Sequence, residues 1–250
     1  MIWAILIGNS RVVAGLMKEN RVIQRLIRPT VSLRKAAQTL AWSKELKRTA
    51  PAEGIVVASV VPPMDSSIRK AINRTFGINP TFINEKTAGI RVNVPKPSQV
   101  GADRIANAAA ARALYGAPVI VVDYGTGTTF DVVDRKGDYV GGAILPGLGI
   151  SLRALHDYTA KIPLVSFGEP RFALGRTTET AIKSGVFYGA LGATRELLRR
   201  IRGELGKAAP AVATGGWSGS FGDKKIFRNV EPNLTLIGMS ILWREKHAKH

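Results

Sequence analysis

The stretch that decides the fold is PVIVVDYGTGTTFDVVD, residues 118–134. Its apolar run at 118–122 is typical of a strand buried on both faces. A turn of glycines and threonines, 125–129, then leads into a second apolar run, as in a hairpin. Backbone N–H groups in such a turn bind phosphate at little entropic cost, because they are already fixed. The stretch therefore predicts a strand–turn–strand unit suited to phosphate.

The same plan occurs at the start of the chain, in IWAILIGNSRVVAGLM, residues 2–17, where Gly8-Asn9-Ser10 forms the turn. Either turn alone fits an ordinary hairpin. Two turns at equivalent positions, with Thr214-Gly215-Gly216 after a later strand, indicate a bound nucleotide. A third strand and then alternating helices and strands follow each unit. We therefore predict an α/β chain of two mixed-sheet domains, 1–115 and 116–250, with an interdomain cleft for the triphosphate.

Composition narrows the class of protein. The 250 residues include no cysteine, which excludes a disulfide-stapled domain and thiolate metal sites. No apolar run approaches the roughly 20 residues that span a bilayer, and the first residues lack the basic region of a signal peptide. We therefore expect a cytoplasmic protein without a membrane partner.

The net charge of +18 fits an anionic partner and fits equally a solvated surface with a compositional bias, so charge alone does not decide the partner. Nucleic acid, membrane headgroups and a polyphosphate substrate would all satisfy it. The sequence lacks the aromatic strand motif, zinc pattern and arginine-rich tail of nucleic-acid-binding proteins, so we do not expect a nucleic-acid partner although the chain is strongly basic.

Several motifs, in their order and spacing, resemble the type III pantothenate kinases of the acetate and sugar kinase/Hsc70/actin superfamily. The resemblance implies a duplicated ribonuclease H-like (actin-like ATPase) fold. The motifs are IGNS at 7–10, SVVPP at 59–63, VGADR at 100–104, DYGTGTT at 123–129, GGAILPG at 141–147, GRTT at 175–178 and TGG at 214–216.

The resemblance also implies an activity: ATP-dependent phosphorylation of pantothenate to 4'-phosphopantothenate, the first step of coenzyme A synthesis. It implies MgATP as donor, a monovalent cation (potassium or ammonium) at Asp123, a homodimer, and Asp103 as general base. By the same resemblance, the substrate-binding residues are Gly101, Ala102, Asp103, Arg104 and Thr178. The ATP-binding residues are Ile7, Gly8, Asn9, Ser10, Arg11, Thr126 and Gly215.

Each of these side chains also has a purely structural interpretation. Asp103 would cap the helix that follows, Arg104 would be an ordinary surface residue, and Thr178 would be an N-cap. Asp123 would bond the N–H groups of its own turn. At a helix start, we expect the helix dipole to lower the pKa of Asp103 and keep the carboxylate ionised.

Two positions depart from the family pattern. Leu6 stands where most members carry an aspartate that helps to hold magnesium, and Val94 stands where many carry a substrate-side tyrosine. Leu6 supports an alternative hypothesis, a catalytically weak or silent nucleotide-binding regulatory homologue of the same fold. Retention of Asp103, Arg104 and Asp123 favours the active kinase.

Overall fold

The computed structural model describes residues 1–206 and 209–248. Its elements, in chain order, are β1 (Ile2–Ile7), β2 (Arg11–Lys18), β3 (Arg21–Pro29), α1 (Ala36–Thr49), β4 (Gly54–Ser59), α2 (Asp65–Phe76), β5 (Thr81–Phe82) and α3 (Ala102–Tyr115). They continue with β6 (Val119–Tyr124), β7 (Gly127–Val133), β8 (Tyr139–Pro146), α4 (Leu148–Asp157), α5 (Thr178–Glu204), β9 (Ala211–Thr214), β10 (Asn229–Val230) and α6 (Leu234–His247).

The two sheets repeat one topology. The first has the order β3-β2-β1-β4-β5 and the second the order β10-β9-β6-β7-β8, which is the same arrangement read from the other edge. In each sheet the central strand, β1 or β6, pairs antiparallel with the next strand and parallel with β4 or β9. The duplicated α/β plan with two mixed sheets is therefore confirmed.

The central strands are buried because helices cover their sheet. In the first sheet the side chains of Trp3, Ile5 and Ile7 have no exposed area and pack with residues of α1 and α2, Trp42 and Ile68 among them. Apolar residues on both faces of a strand require such cover. This packing fixes the carboxyl end of β1, where the first turn begins.

The chain divides into two compact units. The first comprises residues 1–116, 137–140 and the chain from Asn233 onward; the second comprises 117–136 and 141–232. Helix α6 thus packs in the first unit, against α3. Gly238 of α6 lies so close to α3 that a Cβ on it would overlap the carbonyl oxygen of Ala106. Nearby, the buried Thr235 hydroxyl donates to Asn107 Oδ1 at 2.7 Å.

In the part of the chain that the structure describes, no helix is a candidate for crossing a membrane. None of its helices combines the length and the apolar character that crossing a bilayer requires.

Candidate active site

The first turn is closed by its own backbone and by a residue from further along the chain. The Gly8 N–H donates to the carbonyl oxygen of Arg11 at 3.0 Å. Thr30, which is buried, donates its hydroxyl to Gly8 O at 2.6 Å and its N–H to Ser10 O at 3.0 Å. Asn9, Ser10 and Arg11 are left exposed on a fixed backbone. The turn therefore presents donor side chains to solvent in a defined conformation.

The second turn is contacted by Gly147, the residue that joins β8 to α4. The Gly125 N–H donates to Gly127 O at 3.1 Å, which closes the turn, and Thr126 at its tip is exposed. A Cβ on Gly147 would overlap the carbonyl oxygen of Thr126, so only glycine allows this approach. The GGAILPG motif thus sets the position of the turn.

Asp123 and Gly215 lie together at the ends of neighbouring strands. Gly215 has a φ of +90°, in the region that favours glycine, and a Cβ there would overlap Asp123 Oδ1. The carboxylate therefore lies against the backbone of the Thr214-Gly215-Gly216 motif. Carboxylate oxygens of this kind suit a hard cation, so Asp123 fits the monovalent-cation site that the family resemblance implies.

Asp103 stands in the first turn of α3, and its carboxylate folds back over the preceding glycine. Asp103 Oδ1 accepts the Arg104 N–H at 2.8 Å and lies 2.5 Å from where a Cβ of Gly101 would be. The following residues, Ile105 to Ala111, are buried, so the helix itself is firmly anchored.

Burial raises the pKa of Asp103, because desolvation penalises the charged carboxylate more than its surroundings stabilise it. The hydrogen bond from the Arg104 N–H and the charge of Arg104 act in the opposite direction. The prediction that the helix start lowers this pKa is therefore wrong in direction. The favourable N–H contact exists, but the cost of burial is larger.

Arg104 lies over an aromatic ring that the sequence analysis missed. Its guanidinium carbon is 5.8 Å from the ring centroid of Tyr139, which is 1% exposed. Tyr139 is fixed by its backbone: its N–H donates to Arg91 O at 2.9 Å, and its carbonyl accepts from the Asn93 N–H at 2.8 Å. A cation over such a ring is held in place by the ring quadrupole. Tyr139 therefore positions Arg104.

Thr178 is exposed at the first residue of α5, and it is not the cap of that helix. The cap is Thr177, whose Oγ1 accepts the Thr180 N–H at 3.2 Å, while Thr180 Oγ1 accepts the Thr177 N–H at 2.9 Å. The structural interpretation of Thr178 as N-cap is therefore wrong. Because Thr177 does the capping, the hydroxyl of Thr178 is not needed for it.

Leu6 sits half-buried in β1, opposite Val13 and Ala58, and offers no oxygen near the first turn. Among the side chains that the structure describes, no three or more His, Cys, Asp or Glu gather into a cluster that would hold a metal. A magnesium ion held mainly by ATP phosphates and water fits this donor set, since magnesium keeps much of its hydration in nucleotide sites.

Sequence reasoning could not have found Thr30 or Tyr139. Thr30 closes the first turn from twenty residues away along the chain, and Tyr139, at the start of β8, reaches Arg104 of α3. Neither carries a local motif. Their burial, which marks both side chains as important, is visible only in the folded chain.

Two sheets of one topology, each with a turn after its central strand, define the class of the fold, which is the actin-like class. Likeness to solved structures supports the fold. The Lmo2764 protein of Listeria monocytogenes, a proposed N-acetylmannosamine kinase, is 14% identical with a TM-score of 0.57, covering 98% of this chain and 99% of that one. A proposed Baf family transcriptional activator from Campylobacter jejuni is 18% identical with a TM-score of 0.65, over 98% and 99%. At these identities the likeness shows the fold alone.

The chain belongs to the type III pantothenate kinase family, whose sequence model matches residues 2–200. The type III pantothenate kinase of Thermomicrobium roseum is 39% identical to it over 254 residues, which cover 99% of this chain and 98% of that relative. The recognition made from the motifs is thereby confirmed, and the chain is an enzyme, a kinase.

Proposed function

We propose that this chain transfers the γ-phosphoryl group of ATP to the primary hydroxyl of pantothenate, giving 4'-phosphopantothenate and ADP. The observation that carries the proposal is the pair Asp103 and Arg104 at the start of α3, in a chain whose family match runs through both units. The reaction is the first step of coenzyme A synthesis, and we propose that it takes place in the cytoplasm.

Asp103 is the general base. The hydroxyl oxygen of pantothenate forms a bond to the γ-phosphorus, the bond from that phosphorus to the β–γ bridging oxygen breaks, and ADP leaves. The hydroxyl proton passes to the Asp103 carboxylate. The raised pKa of Asp103 makes it a stronger base than a solvated aspartate. The transition state of phosphoryl transfer is loose, so this proton is needed late and positioning matters most.

Arg104 binds the carboxylate of pantothenate. A guanidinium pairs with a carboxylate through two parallel hydrogen bonds, and the ring of Tyr139 holds this guanidinium over one face. Gly101 and Ala102 complete the loop before the base, and Thr178, exposed at the start of α5, contributes a hydroxyl to the substrate.

Both turns bind ATP. In the first, the residues are Ile7, Gly8, Asn9, Ser10 and Arg11; in the second unit they are Thr126 for phosphate and Gly215 for the adenosine. Magnesium, when bound with ATP, neutralises phosphate charge, and its protein ligand at position 6 is absent here. Asp123 holds potassium or ammonium. ATP and pantothenate are both anions, so the +18 charge needs no nucleic-acid partner.

The active form is a homodimer. The second unit leaves large apolar side chains exposed along one stretch of chain: Tyr158 (89%), Leu164 (63%), Phe172 (65%) and Leu174 (74%). Several large exposed apolar side chains close together along the chain support a protein–protein interface here. A second copy of this chain is the occupant that the family resemblance implies, with the pantothenate site close to the subunit boundary.

Release of ADP, followed in a coupled assay with magnesium and potassium present, tests the proposed activity. We expect release only when pantothenate is added, and expect Asp103→Asn to lower kcat by about a hundred- to ten-thousandfold. Asp134→Asn is the matched control, because Asp134 Oδ1 also accepts a backbone N–H, from Lys136 at 2.9 Å, and should keep the full rate. Nucleotide binding without turnover would instead favour the silent homologue, which the family match does not favour.

A further inference from the structure

Three polar side chains form a row across the second sheet, at the end where Asp123 lies. Asp123 of β6 pairs directly with Thr129 of β7 and with Thr214 of β9. Directly paired residues project to the same face of a sheet, so the three side chains stand side by side. Thr129 donates its hydroxyl to Asp131 Oδ2 at 3.1 Å, which accounts for that hydroxyl proton.

Thr214 differs from its neighbour, because its hydroxyl is buried and unused. The residue is 0% exposed, and none of the described residues provides a hydrogen-bond partner for its Oγ1. A buried hydroxyl without a partner is unfavourable, whereas valine would fill the same space in a strand without that cost. A ligand bound by the Thr214 hydroxyl oxygen would explain why this residue is a threonine.

A second, independent observation brings the Asp123 carboxylate to the same place. Gly215 follows Thr214 in a left-handed conformation, and a Cβ on it would overlap Asp123 Oδ1. The carboxylate therefore lies along the step from Thr214 to Gly215. A carboxylate and an uncommitted hydroxyl, side by side at the carboxyl ends of two inner strands, are hard oxygen ligands of the kind that alkali cations take.

We propose that Thr214 Oγ1 is a ligand of the monovalent cation at Asp123, so that the site combines a carboxylate with a threonine hydroxyl. The inference rests on the proposed function for the presence of that cation. The other carboxylate on this face, Asp131, accepts the Thr129 hydroxyl. The Asp123 carboxylate together with the neutral Thr214 hydroxyl suits one positive charge better than two. In the described residues, no further group of carboxylates gathers there to hold a divalent ion.

Thermal unfolding with added KCl, in the presence of magnesium and ADP, measures cation binding without any turnover. Choline chloride keeps the ionic strength constant. We expect KCl to raise the Tm of the wild-type protein in a saturable way. In Thr214→Val the KCl concentration at half effect should rise about tenfold, comparable to the loss of a partner at a metal site. Without KCl, Thr214→Val should be at least as stable as the wild type, because it removes only an unsatisfied hydroxyl.

Thr194→Val is the matched control in the same unit. Its hydroxyl is also buried, but it pairs with the Tyr124 hydroxyl at 2.8 Å. We expect this variant to lose stability at every KCl concentration and to keep the wild-type KCl midpoint. The pair of variants therefore separates a ligand role from a structural one.

An unchanged KCl midpoint in Thr214→Val overturns the proposal, and so does a loss of stability in that variant without KCl. A wild-type protein that KCl does not stabilise more than choline chloride overturns it as well. The failure of the kinase would look different: no pantothenate-dependent ADP release, with a KCl midpoint that still shifts in Thr214→Val. That result would leave the cation ligand standing in a protein of another activity.

Discussion

At the scale of single residues, Asp103 is the clearest case of opposing effects on one group. The backbone N–H and the charge of Arg104 favour the carboxylate, while its burial favours the neutral acid. The effect of burial is the larger one, so the pKa of Asp103 is higher in the folded protein than in the unfolded chain. A base with this property must lose its proton at a higher pH than an ordinary aspartate, whose pKa is about 3.9.

The pH dependence of kcat/KM for pantothenate should therefore show an acidic limb above the ordinary range of aspartate. Activity falls as the pH decreases through the raised pKa, because the base becomes protonated. Arg104→Gln removes a charge that lowers this pKa, and should move the limb to still higher pH at a reduced overall rate. A limb at or below pH 4 in the wild type, or an unmoved limb in Arg104→Gln, would contradict this account.

The same shift has a consequence for stability. A carboxyl whose pKa is raised by folding binds its proton more tightly in the folded state, so stability falls as the pH rises through the unfolded and then the folded pKa. At neutral pH the buried charge of Asp103 is thus unfavourable. This residue is kept despite a cost to folding.

Leu6 is the residue at which a family feature is missing, and restoring it is a direct test. We expect Leu6→Asp to lower the magnesium concentration at half-maximal rate, because a carboxylate beside the first turn adds an oxygen ligand. A magnesium titration of ADP release at fixed ATP measures this. Leu6→Asn, of the same size but uncharged, should give a smaller change. An unchanged titration in Leu6→Asp would show that this position has no part in holding the metal.

At the scale of elements, helices α3 and α6 pack closely together at a glycine. Gly238 of α6 lies against the backbone of α3 at Ala106, and the buried hydrogen bond from Thr235 to Asn107 fixes the register. Helix α3 carries Asp103 in its first turn, so the packing of α6 holds in place the helix that carries the proposed base.

Gly238→Ala should lower the free energy of unfolding by about 1–3 kcal/mol, because its methyl group would overlap backbone that cannot rotate away. The matched control is Gly192→Ala in the middle of α5, where a Cβ would have nothing within 4 Å. That variant should be neutral or gain up to about 1 kcal/mol from helix propensity. Denaturant unfolding of both variants measures the difference. Equal stabilities would mean that the helices separate at no cost.

At the scale of the whole molecule, the exposed apolar side chains of the second unit should be covered by a second copy. We expect sedimentation at twice the monomer mass for the wild-type protein, and a shift toward monomer in a Phe172→Ser, Leu174→Ser double variant. Ile23→Ser is the control, since Ile23 is also exposed (55%) but lies on β3 of the first unit. An active wild-type monomer would contradict the proposed dimer.

Much of this architecture follows from local sequence pattern. Apolar runs, turn residues and their repetition predict both sheets, because strand and turn signals are local. Other features depend on contacts that no local pattern encodes. The two-residue strand β10 is too short for periodicity, the sign of the Asp103 pKa shift depends on tertiary burial, and Tyr139 meets Arg104 only in the folded chain.

The place of α6 affects the order in which the molecule is built. This helix completes the first unit, yet it follows the whole second unit along the chain. Domains generally fold as they leave the ribosome, beginning with the part made first. During synthesis the first unit therefore lacks α6 until the second unit has been translated. Until then, the apolar face of α3 that α6 covers stays exposed.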